Sequence, residues 1–353
     1  MIEYLSAAMG LAPRDPLFWM PLVLGAFVVL VGASVTLLDG FGLGVGMLLP
    51  FLPDAERAIV IKRLAPWQAS HHAWLLLLLI FLMAAFPFAW AALADGLYSG
   101  LLLLVTGGLL RIVSDKFARL QIHRPMWFWV YGGASALVTI GYGLLLAGYV
   151  VGMQWQIELL AFFVLVVFAV LMSFFLLGCT WLVAWTEGHL LSRVARLAAL
   201  AARWSAAGMV AVSLTLGLTN PAVFYKWTHA SFILTGAIWW LIMLVAFVWL
   251  DLALRRLVRL SEPKHVRTPF VLAVSLLILM MSGLAYSAFP FVIIDELSLW
   301  DAVASPAVLK VALICALILT PILVLSHVGR LHRFWAPRHP DGIKTKKDEA
   351  AVG

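Results

Sequence analysis

The sequence predicts an all-α integral membrane protein of about nine transmembrane helices, with the N-terminus outside and the C-terminus inside. Three observations carry the prediction. Hydrophobic residues make up 64% of the 353 residues and charged residues 12%, against about 45–50% and about 25% in soluble chains. So few charges cannot cover a water-soluble fold, and a disordered chain would be far poorer in apolar residues. Nine apolar runs are each long enough to cross the hydrocarbon core as a helix, which satisfies its own backbone where lipid offers no partner. The basic residues then fall almost wholly on alternate loops.

In chain order the runs lie at about 17–38, 72–92, 96–113, 127–150, 158–185, 203–220, 230–250, 270–291 and 306–327. The opening stretch, MIEYLSAAMGLAPRDPLFWM, lacks a basic region ahead of its apolar run, so it reads as a retained first span and not a cleaved signal. Spans two and three are separated only by Ala94-Asp95, which predicts a tight helical hairpin. Spans six and seven are separated by the turn-rich Thr219-Asn220-Pro221, where the count is open by one. Residues 1–335 thus form one polytopic domain. Residues 336–353 are polar and charged and predict a disordered cytoplasmic tail.

The charge distribution tests this arrangement independently. Of the 24 Lys and Arg residues, all but Arg14, Lys226 and Lys310 lie on five segments that nine spans would place inside. These begin at Arg57, Arg111, Arg193, Arg255 and Arg330, and deleting one span would scramble the segregation. Topology and contact with anionic lipid account for the net charge of +7, and no nucleic-acid motif accompanies it. Trp19, Trp127, Trp129, Trp204, Trp227 and Trp300 lie near span ends, as an interfacial aromatic belt requires. Cys179 and Cys315 sit far apart in apolar stretches and read as packing residues.

No phosphate loop, zinc helix or nucleophile elbow is present, so chemistry must rest on polar residues at membrane depth. Asp39 follows the first run. If the helix continues, Asp39 lies inside the bilayer, where an ionised carboxylate costs about 2.5–3.5 kcal/mol and marks a proton path. If the helix stops at Leu38, Asp39 is interfacial. Gly40, Gly42, Gly44 and Gly46 permit close helix approach or mark a bent segment. Arg111 is either a partner for Asp39 or a residue that snorkels to the headgroups. His71 and His72 stand about 100° apart on a helix, so a haem or proton role needs partners from elsewhere. Interfacial hydration is the simpler reading for both. Glu187, with Arg193 and Arg196, reads as a cytoplasmic amphipathic continuation of span five and a surface or partner contact. The remaining histidines show no spacing that would pair two helices around a haem, so no metal is assigned to this chain.

Asp39-Gly40-Phe41-Gly42-Leu43-Gly44-Val45-Gly46-Met47-Leu48 resembles the DGFDLGVGML signature of subunit II of cytochrome bd-type quinol oxidases. Ala65-Pro66-Trp67-Gln68 through Trp74 resembles that family's APxWDGNEVW stretch. Thr186-Glu187-Gly188-His189-Leu190 with Arg193 resembles its TEGxLxxR segment. Leu297-Ser298-Leu299-Trp300 through Pro306 resembles its LTIWDAASSP run, followed by the last-span Pro321. The resemblance covers residues 17–335 and implies two four-helix bundles plus one peripheral helix in a prokaryotic cell (inner) membrane.

It also implies a haem-free scaffold beside a haem-bearing subunit I that carries haems b and d and oxidises quinol with oxygen. Proton and oxygen routes, small single-span accessory subunits and a bound quinone or lipid belong to the same picture. Two acids of the family pattern are missing: Gly42 stands for the second acid of DGFD, and Gln68 for the aspartate of WDGN. An extra residue precedes Trp74, and Phe334-Trp335-Ala336-Pro337-Arg338 replaces the usual ending. Glycine and a neutral amide cannot relay protons as carboxylates do. Asp39 is then the one retained acid, with His71 or His72 as candidate substitutes, since histidine exchanges protons near physiological pH.

Three readings follow. The first is subunit II of a bd-type terminal oxidase, and the second a divergent bd-like complex with another donor or acceptor. The third, a secondary transporter, would show a pair of broken helices and charges at midplane; here midplane charge is nearly absent and the glycine-rich segment has no evident twin.

Overall fold

A computed structural model of the chain describes residues 10–119, 124–153, 155–229, 233–259, 265–294 and 296–335. The expected disordered tail, 336–353, lies outside them. Eleven α-helices are described, besides two 3-10 turns at Leu49–Phe51 and Ile157–Leu159: α1 Pro16–Leu48, α2 Asp54–Ala85, α3 Pro87–Gly96, α4 Tyr98–Arg119, α5 Arg124–Val150 and α6 Leu160–Val183. They continue with α7 Gly188–Thr219, α8 Pro221–Thr228, α9 Ile233–Arg259, α10 Thr268–Ala288 and α11 Pro306–Trp335. A small antiparallel pair, β1 Phe291–Ile293 and β2 Leu297–Ser298, precedes α11. Among the described residues eight helices are long and apolar enough to cross a membrane, and the broken pair α3 and α4 supplies a ninth crossing if taken as one span.

Two local expectations are corrected. The two-residue turn at Ala94-Asp95 is instead a short helix. Pro87 lacks an N–H and opens α3 at a position where none is needed, so α2 ends at Ala85. The TEGHLLSRVARLAA segment does not prolong span five. The chain breaks after α6, and Gly188 starts a single 32-residue helix, α7. Val194, Ala195 and Ala198 of that segment are buried, because its apolar positions recur at helical spacing and face protein.

The chain falls into two compact units. One comprises the residues up to Thr36, Ala69–Gly96 and the chain from Ala288; the other comprises Leu37–Gln68 and Leu97–Ser287. In the first, Trp300 stacks on Phe18 with ring centroids 5.5 Å apart, and its indole N–H donates to the Phe18 carbonyl at 3.0 Å. Leu299 covers Gly25, where a Cβ would come within 2.9 Å of a leucine methyl. The Ala304 N–H donates to the Ala85 carbonyl. Trp300 thus pins the segment that leads to Pro306, the first residue of α11, onto the start of α1.

In the second unit, α4 packs on α5, α5 on α6, α6 on α7 and α7 on α9. Arg57 closes the end of α1. Its Nε and Nη2 donate to the carbonyls of Leu49, which also accepts from the Leu52 N–H, and of Pro50, and its guanidinium lies over the Phe128 ring. Asn220 is buried and caps α8: its side-chain oxygen accepts from Val223 N–H while Nδ2 donates to the Val150 carbonyl. Asn220→Ala removes both bonds and leaves buried backbone groups unmet. Thermal unfolding in detergent is expected to show a loss of about 1–3 kcal/mol.

Candidate functional site

The helix does not stop at Leu38. α1 runs without a break through Asp39 and the four glycines, and Asp39 is only 6% exposed. A continuous helix sets the directions of this segment. Gly40 and Gly44 are four residues apart and share one side, while Asp39, Gly42 and Gly46 fall on the other. The first side meets α6. A Cβ on Gly44 would lie 2.0 Å from the Phe174 carbonyl oxygen and 2.8 Å from Gly178 N, and one on Gly40 would strike the Phe174 ring. The glycines therefore serve close approach, not a bend. On the other side, a Cβ on Gly46 would fall 2.2 Å from Ser135 Oγ of α5.

That second side holds the polar site. Arg111, on α4, donates from Nη1 to Asp39 Oδ1 at 3.2 Å and from Nη2 to the Tyr131 hydroxyl at 3.2 Å. Its guanidinium also sits 5.3 Å from the Tyr131 ring centroid. Gln68, from α2, donates to the same hydroxyl at 2.7 Å. Tyr142 of α5 bonds to Asp39 as well. Arg111 does not snorkel: it is largely buried, and its Nε finds no hydrogen-bond partner among the described residues. An enclosed ion pair of this kind is stable only when paired and well hydrogen-bonded.

The Tyr131 oxygen accepts two hydrogen bonds, so both its lone pairs are in use and its own O–H is left to donate. Tyr131 borders a cavity of about 10 Å³ together with Gln68, Ser114 and Asp115. That is room for about one water. The arrangement can hold a carboxylate, orient a phenol and let that phenol donate to a single water.

Other candidates are placed differently. Phe41 stacks on Trp181 at 5.8 Å and meets Trp67 and Phe270 edge-on, so this signature aromatic is core. Trp74 is buried. His71 is half-buried and His72 exposed, with their rings 5.6 Å apart on α2, in the first unit and not in the one that contains Asp39. Glu187 is half-buried in the break between α6 and α7. Cys179 is core, whereas Cys315 faces outward. No group of three or more His, Cys, Asp or Glu side chains converges as a metal site would among the described residues.

Comparison with known proteins decides the family. The model of the family "Cytochrome bd terminal oxidase subunit II" matches residues 20–331. The chain belongs to this family. It is 35% identical to the cytochrome bd-I ubiquinol oxidase subunit 2 of Escherichia coli K12 over 131 residues, 34% of each chain. It is 35% identical over 140 residues to a probable cytochrome oxidase subunit 2 of Haemophilus influenzae, covering 37% of this chain and 35% of that one. These alignments span about a third of the relatives' length. A chain of the bd oxidase from Geobacillus thermodenitrificans superimposes with a TM-score of 0.66 at 13% identity, over 90% of this chain and 98% of that one, which shows the shared fold. Within the subunit II family frame, the signature glycines are packing surfaces and the signature aspartate is one end of a buried ion pair.

Tyr131 and Tyr142 were not legible as site residues. The available signal was a polar stripe on one face of an otherwise apolar α5: Tyr131, Ser135, Thr139 and Tyr142 recur at intervals of four, four and three. Polar groups inside a membrane helix turn toward protein or water.

Proposed function

We propose that this chain is the haem-free subunit II of a bd-type terminal oxidase, and that it supports a haem-bearing subunit I in quinol oxidation and reduction of oxygen to water. The family match over residues 20–331 carries this reading. The haems, b and d, belong to the partner, where they supply electron transfer and oxygen chemistry. Small single-span subunits complete the complex in a prokaryotic inner membrane. The alternation of basic loops supports an N-out, C-in orientation.

This chain contributes packing surfaces and one proton-holding station. Arg111 keeps its own protons; it positions the Asp39 carboxylate and the Tyr131 hydroxyl. The Asp39 carboxylate holds the proton, and the Tyr131 hydroxyl, its oxygen already accepting from Gln68 and Arg111, orients a water beside Gln68 and Asp115 by donating to it. His71 and His72 form a separate candidate pair on α2. Asp39→Asn keeps the shape and removes the charge. It is expected to slow quinol-driven oxygen uptake by about 10²-fold or more, the contribution of one proton-transfer group, while the complex still assembles. Full uptake in the variant would remove Asp39 from the route.

The experiment for the function itself is co-purification. A haem-bearing partner should accompany the tagged chain, and the pair should consume oxygen with quinol. A second reading, a bd-like complex with another donor or acceptor, is favoured by Gly42 and Gln68 standing where the family pattern has acids. A Cβ on Gly42 would meet only Arg111 Nη2, at 3.9 Å. Gly42→Asp should therefore fit and pair with Arg111. If the lost acid is what changed the chemistry, Gly42→Asp raises quinol oxidase turnover; in an ordinary bd oxidase it leaves turnover unchanged.

A further inference from the structure

A basic cleft of about 210 Å³ lies between α7 and α9, lined by Arg196, Leu200, Arg203, Arg255 and Arg259. Asp251 is the acid that bridges it: its two carboxylate oxygens accept from Nε of Arg203 at 3.1 Å and from Nε of Arg255. Arg203 and Arg255 are thereby oriented. Arg196 and Arg259 are exposed and make no ion pair among the described residues. Four guanidinium groups against one carboxylate leave a surplus of three positive charges around one opening. Guanidinium matches phosphate oxygens in pairs, so the chemistry the cleft recognises is a phosphate group.

The level of the cleft says what carries that phosphate. On α9 no charged residue occurs from Ile233 to Leu250, about 27 Å of helix, close to the hydrocarbon thickness of a bilayer. The charges begin at once beyond it, with Asp251. On α7 no charge occurs from Trp204 to Thr219, and Arg203 and Arg196 stand just before that stretch. Both helices thus change from apolar to basic at one level, where headgroup phosphates lie. Directly on the apolar side, Trp204 and Trp249 are about half-exposed, an outward surface suited to acyl chains. A free anion has no use for that surface.

We infer that this cleft is a binding site for an anionic phospholipid, with its phosphodiester held by Arg196 and Arg259 beside the Asp251-oriented arginines and its acyl chains against Trp204 and Trp249. The test uses the full chain with the subunits that accompany it, placed in phosphatidylcholine nanodiscs doped with phosphatidylglycerol. Native mass spectrometry then counts retained lipid. The intact protein should retain phosphatidylglycerol over phosphatidylcholine. Arg196→Gln/Arg259→Gln should weaken that retention about thirtyfold, the joint effect of two interfacial arginines. Arg193→Gln, a nearby exposed arginine outside the cleft, should change nothing. Arg259→Gln alone, about a fivefold loss, serves if the double variant does not accumulate. Equal retention of both lipids, retention unaffected by the double variant, or binding of inorganic phosphate without retention of phosphatidylglycerol would each overturn the assignment.

Discussion

Arg111→Met is expected to destabilise the protein by about 3–5 kcal/mol, because it leaves Asp39 as an uncompensated buried charge. The methionine keeps much of the side-chain volume, so the loss is electrostatic and not a cavity effect. Asp39→Leu/Arg111→Met removes both charges and is expected to recover most of that stability, since an apolar pair of similar size is often neutral or better in a buried site. The double variant should nevertheless lack the function of the site. Unfolding in mild detergent by denaturant titration separates stability from activity. A double variant as unstable as the single one would mean that the Arg111 contact to Tyr131, and not the ion pair with Asp39, holds α4 against its neighbours.

Gly44→Val should have the other large effect: folded protein should fail to accumulate. At Gly44 the obstacle is backbone, the Phe174 carbonyl and Gly178, and no side-chain rotation can relieve it. Overpacking in an ordinary core costs about 1–3 kcal/mol, and here α1 and α6 must part instead, which also opens the Phe41–Trp181 stack. Gly42→Ala, two residues away in the same helix, meets only Arg111 Nη2, in ordinary contact at 3.9 Å. It is expected to be neutral or to gain up to about 1 kcal/mol from helix propensity. Comparing the two by detergent-solubilised yield and melting temperature isolates close approach from general intolerance of change in this segment. Equal damage at both positions would show that the glycines matter for flexibility.

Much of the fold was legible because membrane helices announce themselves by length and charge pattern. The break before Pro87 was not, since the apolar run continues across it and only the missing N–H of proline marks the helix end. The start of α7 was misplaced for a related reason. Arg193 and Arg196 made its first turns look like a solvated surface, whereas their alanine-rich opposite face is core. Of the site, Asp39 and Arg111 were visible as an acid and a base at membrane depth. Whether they met depended on α1 continuing past Leu38, a matter of tertiary packing against α6 that no local pattern decides. Gln68 looked like the mere loss of an acid. In the structure its amide binds Tyr131, a contact between residues 63 positions apart.

A reduced-minus-oxidised absorption spectrum, taken on the folded chain alone and on the chain with its partner subunit, tests most directly whether the haems belong to the partner. Haem bands are expected only when the partner is present, with unchanged band intensity in a complex built on His71→Ala/His72→Ala. Haem bands from the chain by itself, abolished by that same double substitution, would contradict that assignment.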